Sequence, residues 1–159
     1  MKTDYLNLYS NLNDFEQIIL QSTREWVEKY VKPKIEKSFI SGVPLSLNKE
    51  LAELGAFGSI FPEKYGGLDF NFIAFGLMMK ELEKGDSSIR VASSIQTSLV
   101  MNAIFSYGSE YQKEKYLPDL ANGTIVGSFA MSEPSHGSDI SNLKTKFKIV
   151  DDKIILNGS

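Results

Sequence analysis

Ser128-Phe-Ala-Met-Ser-Glu-Pro-Ser-His-Gly-Ser-Asp139 is the stretch in which the chain changes character. From Ile125 to Met131 the residues are apolar and β-capable, with no helical face. Glu133-Pro134 ends the run, because the residue before a proline is pushed out of the α region. The pattern predicts a strand that opens into a loop at Ser132. Ser132, Ser135, Gly137 and Ser138 load that loop with hydroxyls and unblocked amides, which can converge on a ring edge or a phosphate, glycine permitting close approach. Most Ser/Gly loops merely turn the chain. The strand before this one, the proline within it and the hairpin after it set it apart.

Upstream the pattern is helical. Asn13 and Glu16 have the form of a capping box, and Phe15, Ile18, Ile19, Thr23, Trp26 and Tyr30 recur at helical spacing, predicting a helix to about residue 31 that kinks or restarts at Pro33. Ser46 is positioned to cap a shorter helix through Leu54, with Gly55 as its stop. Gly66-Gly67 marks a tight turn. Phe70 to Lys84 is helix-forming, Gly85-Asp86 breaks and recaps it, and Ser88 to Tyr107 reads as a long buried helix. Ser109 with Gln112 starts another helix, expected to end before Pro118. Downstream, Lys144 to Val150 and Lys153 to Asn157 alternate around Asp151-Asp152 as a β-hairpin does. The expected division is therefore an all-α domain over 1–123 and an incomplete β domain over 124–159. An isolated hairpin cannot bury a sheet face.

Composition narrows the function classes. The 42% hydrophobic and 11% aromatic content of the chain suffices for a core in 159 residues. A net charge of −3 argues against nucleic acid as the main partner. With no cysteine there is neither a disulfide nor thiolate chemistry, and the single His136 cannot build a histidine metal site, so no metal ligands are assigned. No apolar run has the length of a signal peptide or a membrane span, so a cytoplasmic chain without a membrane partner is expected.

Pro62-Glu-Lys-Tyr-Gly-Gly67, Tyr107-Gly-Ser-Glu-Tyr-Gln-Lys-Glu-Lys-Tyr-Leu-Pro118, Ala121-Asn-Gly123, Met131-Ser-Glu-Pro134 with Gly137-Ser-Asp139, and Leu156-Asn-Gly158 together resemble the N-terminal part of an acyl-CoA dehydrogenase. The resemblance covers nearly the whole chain, with the motifs in the family's order. It implies a mainly α fold: the family's N-terminal helical domain followed by the start of its middle β-barrel, without its C-terminal four-helix bundle. It also implies FAD, with Phe129, Ala130, Met131, Ser132, Gly137 and Ser138 along the flavin and Ser138 also touching the acyl-CoA. Ser132 stands where the family usually has Thr, keeping the hydroxyl, and Phe129 occupies an often aromatic position.

On the segment Ser88 to Met101, a count of 100° per residue puts Arg90, Ser94, Thr97 and Met101 on one face and Ala92, Ile95, Leu99 and Ala103 opposite. An arginine on such a stripe needs an anion or water, and its planar fork suits a carboxylate. The segment resembles that of glutaryl-CoA dehydrogenases. The resemblance places Arg90, Val91 and Ser94 at the distal carboxylate of a glutaryl chain, with Glu83 nearby. The implied reaction is oxidation of glutaryl-CoA with hydride passing to FAD, then decarboxylation to crotonyl-CoA. The family's catalytic base, a glutamate of the C-terminal domain, has no match here, so no catalytic residue is assigned and Glu133 is not nominated. A homotetramer, and electron-transferring flavoprotein as acceptor, are implied in the same way.

The plainer readings stand beside these. Arg90 can pair with Glu83 or Asp86, His136 can be a surface residue, Trp26 can be core, Asp139 can cap a local turn, and Lys113, Glu114 and Lys115 can form a solvated face. The alternatives for the whole are a short-chain acyl-CoA dehydrogenase without decarboxylation, and a non-catalytic truncated or split chain that binds a partner.

Overall fold

The computed structural model describes residues 4, 7–42 and 47–159, which form two compact units, 1–128 and 129–159. The Ser46 cap lies outside the described residues.

The first unit is helical. Helix α1 (Asp14–Trp26) starts at the expected capping box: the Glu16 amide donates to Asn13 Oδ1 at 2.9 Å, and the Asn13 amide donates to Glu16 Oε2 at 3.0 Å. The box has a tertiary extension. Glu16 Oε1 accepts from Asn71 Nδ2 at 3.0 Å, and Asn71 Oδ1 in turn takes the Ala74 amide at 2.8 Å to cap α4 (Phe72–Gly85). One buried carboxylate thus ties two helix starts together, satisfying donors that both helices would otherwise leave open.

Pro33 lacks the amide that would continue the ladder, and its ring crowds the carbonyl four residues back. The chain passes it by widening into a π turn over Val27–Val31 and tightening into a 3₁₀ turn over Lys32–Lys34 before α2 (Ile35–Ser41). Ile19, Val27 and Val31 pack against Leu47 and Leu51 of α3 (Leu47–Glu53), Ala74, Met78 and Leu82 of α4, and Phe57, with Trp26 at the margin. At the end of α4 the backbone comes so close that a Cβ on Gly85 would lie 2.7 Å from Val27 Cγ1.

The same helix pair buries a charge. Glu81, 2% exposed, accepts from Arg24 Nε at 3.2 Å and Nη2 at 3.4 Å and from Lys84 Nζ at 2.7 Å. Burial pushes its carboxyl pKa up, but the hydrogen bonds from Arg24 and Lys84 outweigh burial and hold it below the ordinary value. Because the folded pKa is depressed, this carboxylate contributes stability above the unfolded pKa, and the contribution is lost as pH falls through the folded one. Chemical unfolding from neutral pH down to about pH 3 should show stability falling through and below the ordinary glutamate range near about 4.3, with a shallower fall in Glu81→Gln.

Asp86 ends α4 and recaps the chain, accepting the Ser88 amide at 2.7 Å. The long helix expected here is three pieces in line: α5 (Ser87–Ser94), a π segment Ile95–Met101, and α6 (Asn102–Tyr107). Helix α7 (Glu110–Ala121) carries the expected Ser109/Gln112 capping box. It does not end before Pro118. The helix runs through the proline to Ala121, and the Asn122 amide bonds Pro118 O at 3.0 Å. Burial of Leu117, Leu120 and Ala121 against Phe61, Tyr65 and Met101 outweighs the missing amide. Gln96, 2% exposed, donates to Leu120 O and Ile125 O and accepts from the Gly127 amide, each at 2.9 Å, so the exit from α7 is held by one side chain of the π segment.

In the second unit the expected hairpin forms between β1 (Lys146–Val150) and β2 (Lys153–Asn157), antiparallel with Phe147 opposite Leu156 and Ile149 opposite Ile154. Asp151 and Asp152 sit at φ 47° and 60°, the left-handed pair that a two-residue hairpin turn requires. The predicted strand over Ile125 to Met131 has no ladder partner among the described residues, so 125–132 is chain outside any sheet, exposed except at Gly127. Alternation marked a β-capable run, but a strand exists only where a neighbour supplies hydrogen bonds.

Candidate functional site

The sequence-predicted residues fall into two groups, one in each unit. In the first, the α4–α5 corner brings together Glu83 and Arg90, seven positions apart. Arg90 Nε donates to Glu83 Oε2 at 2.6 Å, and Ser87 Oγ donates to Glu83 Oε1 at 2.7 Å. The Arg90 bond first, then that of Ser87, lowers the Glu83 carboxyl from its ordinary value, so it stays ionised near neutrality. Both side chains reach solvent, Arg90 at 35% and Glu83 at 44% exposure. Of the two acids near Arg90, the ion partner is Glu83; Asp86 is the cap. Val91 is exposed one residue on, and Ser94, one turn on, is half-buried with its Oγ 3.8 Å from Met79 Sδ.

The polar stripe does not continue as expected. Thr97 is fully buried, donating to Ala56 O at 3.3 Å and accepting the Gly58 amide at 3.1 Å, and Met101 is fully buried too. Ser93, Gln96, Thr97 and Met101 make the inward side, while Leu99, on the face counted as opposite, is exposed. The wider π turns over Ile95–Met101 shift the phase that a uniform 100° count assumes. The anion-capable face is therefore confined to Arg90, Val91 and Ser94, where α5 is regular.

In the second unit, Ala130, Met131 and Ser132 line a cleft of about 500 Å³ with Glu133, Leu143, Thr145, Leu156 and Gly158. Phe129 and Met131 are exposed, at 49% and 45%. The loop folds back so that a Cβ on Gly137 would meet only Ser132 Oγ, at 4.0 Å. Ser132 and Gly137 thus stand side by side with open space next to them, and Ser138 follows, exposed. An apolar flank beside a hydroxyl and an unobstructed glycine backbone can take a flat ligand with a polar edge.

Glu133 is absorbed by structure. Its carboxylate accepts the Lys144 amide at 3.0 and 2.8 Å and the Thr145 amide at 2.7 Å, which lowers its pKa to about 2, Thr145 contributing most and Lys144 next. A group so weakly basic is a poor proton acceptor near neutrality. Asp139 accepts from Asn142 Nδ2 at 2.7 Å in a local turn, and Ser135 Oγ lies 2.7 Å from His136 Nδ1. Among the described residues no group of acids and histidines is arranged to hold a metal, and no helix is long and apolar enough to cross a membrane.

Sequence reasoning missed Ser87, Gln96 and the Glu133 clasp. Ser87 lies only four residues after Glu83, but the helix break at Asp86 separates them, so helical spacing does not report the contact. The other two depend on contacts 24 to 31 and 11 to 12 residues away, which no local pattern reports.

Residues 13–124 match the family model described as acyl-CoA dehydrogenase, N-terminal domain. A mitochondrial isovaleryl-CoA dehydrogenase of Bos taurus is 31% identical over 153 residues, covering 94% of this chain and 36% of that protein. The crystal structure of glutaryl-CoA dehydrogenase from Mycobacterium smegmatis superposes with a TM-score of 0.92 at 38% identity, over 98% of this chain and 40% of the other. A structure of a glutaryl-CoA dehydrogenase from the same organism in complex with FADH2 gives a TM-score of 0.92 at 37% identity, over 96% and 40%. The chain spans well under half the length of these proteins.

Proposed function

The chain belongs to the acyl-CoA dehydrogenase family, and from that premise we propose that it contributes the helical domain and the flavin-contacting loop of an FAD-dependent enzyme that oxidises glutaryl-CoA and releases carbon dioxide to give crotonyl-CoA. The observation that carries the substrate is the exposed Arg90 guanidinium at the α4–α5 corner, held through one Nε edge by Glu83. Its Nη edge suits the distal carboxylate of a dicarboxylic acyl chain, with the Ser94 hydroxyl one turn on and Val91 beside it.

For the cofactor, the exposed Phe129 and Met131, with Ala130 between them, would lie along the ring, and Ser132 and Gly137 would donate at its edge, Ser138 touching both ring and acyl-CoA. FAD, when bound, supplies the acceptor for the hydride from the acyl β carbon. The residues of this chain bind and orient: Ser132 and the loop amides favour negative charge at the ring edge, and Arg90 with Ser94 holds the carboxylate that departs. The catalytic base is assigned outside these residues. Electron-transferring flavoprotein as acceptor, a homotetrameric assembly and a cytoplasmic site of action complete the reading.

A second reading is favoured by the Arg90–Glu83 pair itself. It balances the arginine without a ligand, as an enzyme acting on an uncharged short acyl chain without decarboxylation would need. Flavin content tests the common part of both readings. The native polypeptide carrying this sequence should purify yellow, with FAD released on denaturation; a colourless protein that takes up no added FAD contradicts both.

A further inference from the structure

We infer that Glu133 is a positioning residue for the cofactor edge, pinning the loop from Ser132 to Ser138 so that the Ser132 hydroxyl and the Gly137 backbone are held together. The inference rests on the flavin reading of that loop. Glu133 is committed twice over. Its carboxylate takes both amides of Lys144-Thr145, at 2.7 to 3.0 Å, where the chain enters the hairpin. Its backbone exchanges a pair of hydrogen bonds with His136, N–H to His136 O at 2.8 Å and His136 N–H to its own carbonyl at 3.1 Å.

The two donors flank the turn that these clasps close: Ser132 immediately precedes Glu133, and Gly137 immediately follows His136. The His136 bridge closes the four-residue turn through Pro134, and the carboxylate anchors that closed turn to Lys144-Thr145. Without the carboxylate, two amides lose their acceptor and the turn is tethered only by the chain. Ser132, Glu133 and Thr145 all line the same cleft. Oε1 receives both amides and Oε2 a second, shorter bond from Lys144, so the clasp uses both oxygens of the carboxylate.

In the native polypeptide, Glu133→Ala should speed hydrogen exchange at the Lys144 and Thr145 amides about tenfold, and raise the Kd for FAD about tenfold with a shifted visible flavin band. Glu133→Gln, which keeps Oε1 as acceptor but turns an amide nitrogen toward the Lys144 N–H that Oε2 now accepts, should recover part of both. Glu133→Asp, one methylene short, carries the same test should the alanine variant not fold. Native FAD affinity and an unshifted band in the alanine or aspartate variant, beside a wild type that binds FAD, overturn the inference alone. A wild type that binds no FAD overturns the flavin reading and the inference with it.

Discussion

Arg90→Gln is expected to lower kcat/KM for glutaryl-CoA roughly a hundredfold while leaving butyryl-CoA within a few-fold, because charge-assisted hydrogen bonds of about 1.5 to 3 kcal/mol are lost only where the acyl chain carries a carboxylate. The structure makes the variant selective. Arg90 lies on the exposed side of α5, away from the inward face of Ser93, Gln96 and Thr97, so the fold has little to lose. What the fold does lose is the bond to Glu83, an exposed pair of small worth to stability. Arg90→Lys keeps the charge but not the planar fork and should fall between. Steady-state kinetics on the two thioesters are the check, and equal losses on both would remove Arg90 from the specificity role.

Gly67→Ala should destabilise the first unit by about 4 kcal/mol or more, among the largest effects a single methyl can have. A Cβ at this position would lie 1.8 Å from the Phe61 carbonyl oxygen and 2.9 Å from that of Gly58. Neither is a side-chain end that can swing away. Phe61 O already accepts the Asp69 amide at 3.1 Å, and the Gly67 amide itself bonds Pro62 O at 3.1 Å, so the turn is closed by its own backbone. Relief would have to shift Phe61 or Tyr65, which anchor the second core cluster against Leu117 and Leu120. Gly76 is the control. It lies on the exposed side of α4 with nothing within 4 Å of its missing Cβ, so Gly76→Ala should stabilise by up to about 1 kcal/mol. Chemical unfolding of the two variants beside the wild type measures the contrast.

The features legible in the sequence are those in which local pattern and final contact coincide. Asn13 with Glu16, Ser109 with Gln112, and Asp151-Asp152 each satisfy their own neighbours, so the motif is already the structure. Pro118 shows the limit: read locally it stops a helix, yet the burial of Leu117 and Leu120 on either side decides otherwise. The run from Ile125 to Met131 shows another, since β-capable residues make no strand without a partner. The α5 stripe failed at Thr97 because the π turns over Ile95–Met101 change the helical phase, and nothing in Ile-Gln-Thr-Ser announces them.

At the site, Arg90 and Glu83 were legible together because a helix break at Gly85-Asp86 folds nearby positions toward each other. The function of Glu133 was not, because Lys144 and Thr145 reach it only once the hairpin has formed. A sequence reader sees Glu133-Pro134 as punctuation; the fold uses the same glutamate as an acceptor. Gln96 is a like case, an amide in an apolar helix whose three partners lie beyond α7 and at its end.

The measurement closest to the central claim is an anaerobic mixing of the native polypeptide with glutaryl-CoA, following the visible flavin band and the release of carbon dioxide together. Bleaching of the band with crotonyl-CoA and carbon dioxide as products is the predicted result. Bleaching by butyryl-CoA but not by glutaryl-CoA would contradict the assignment of Arg90 to a substrate carboxylate and leave the short-chain reading in its place.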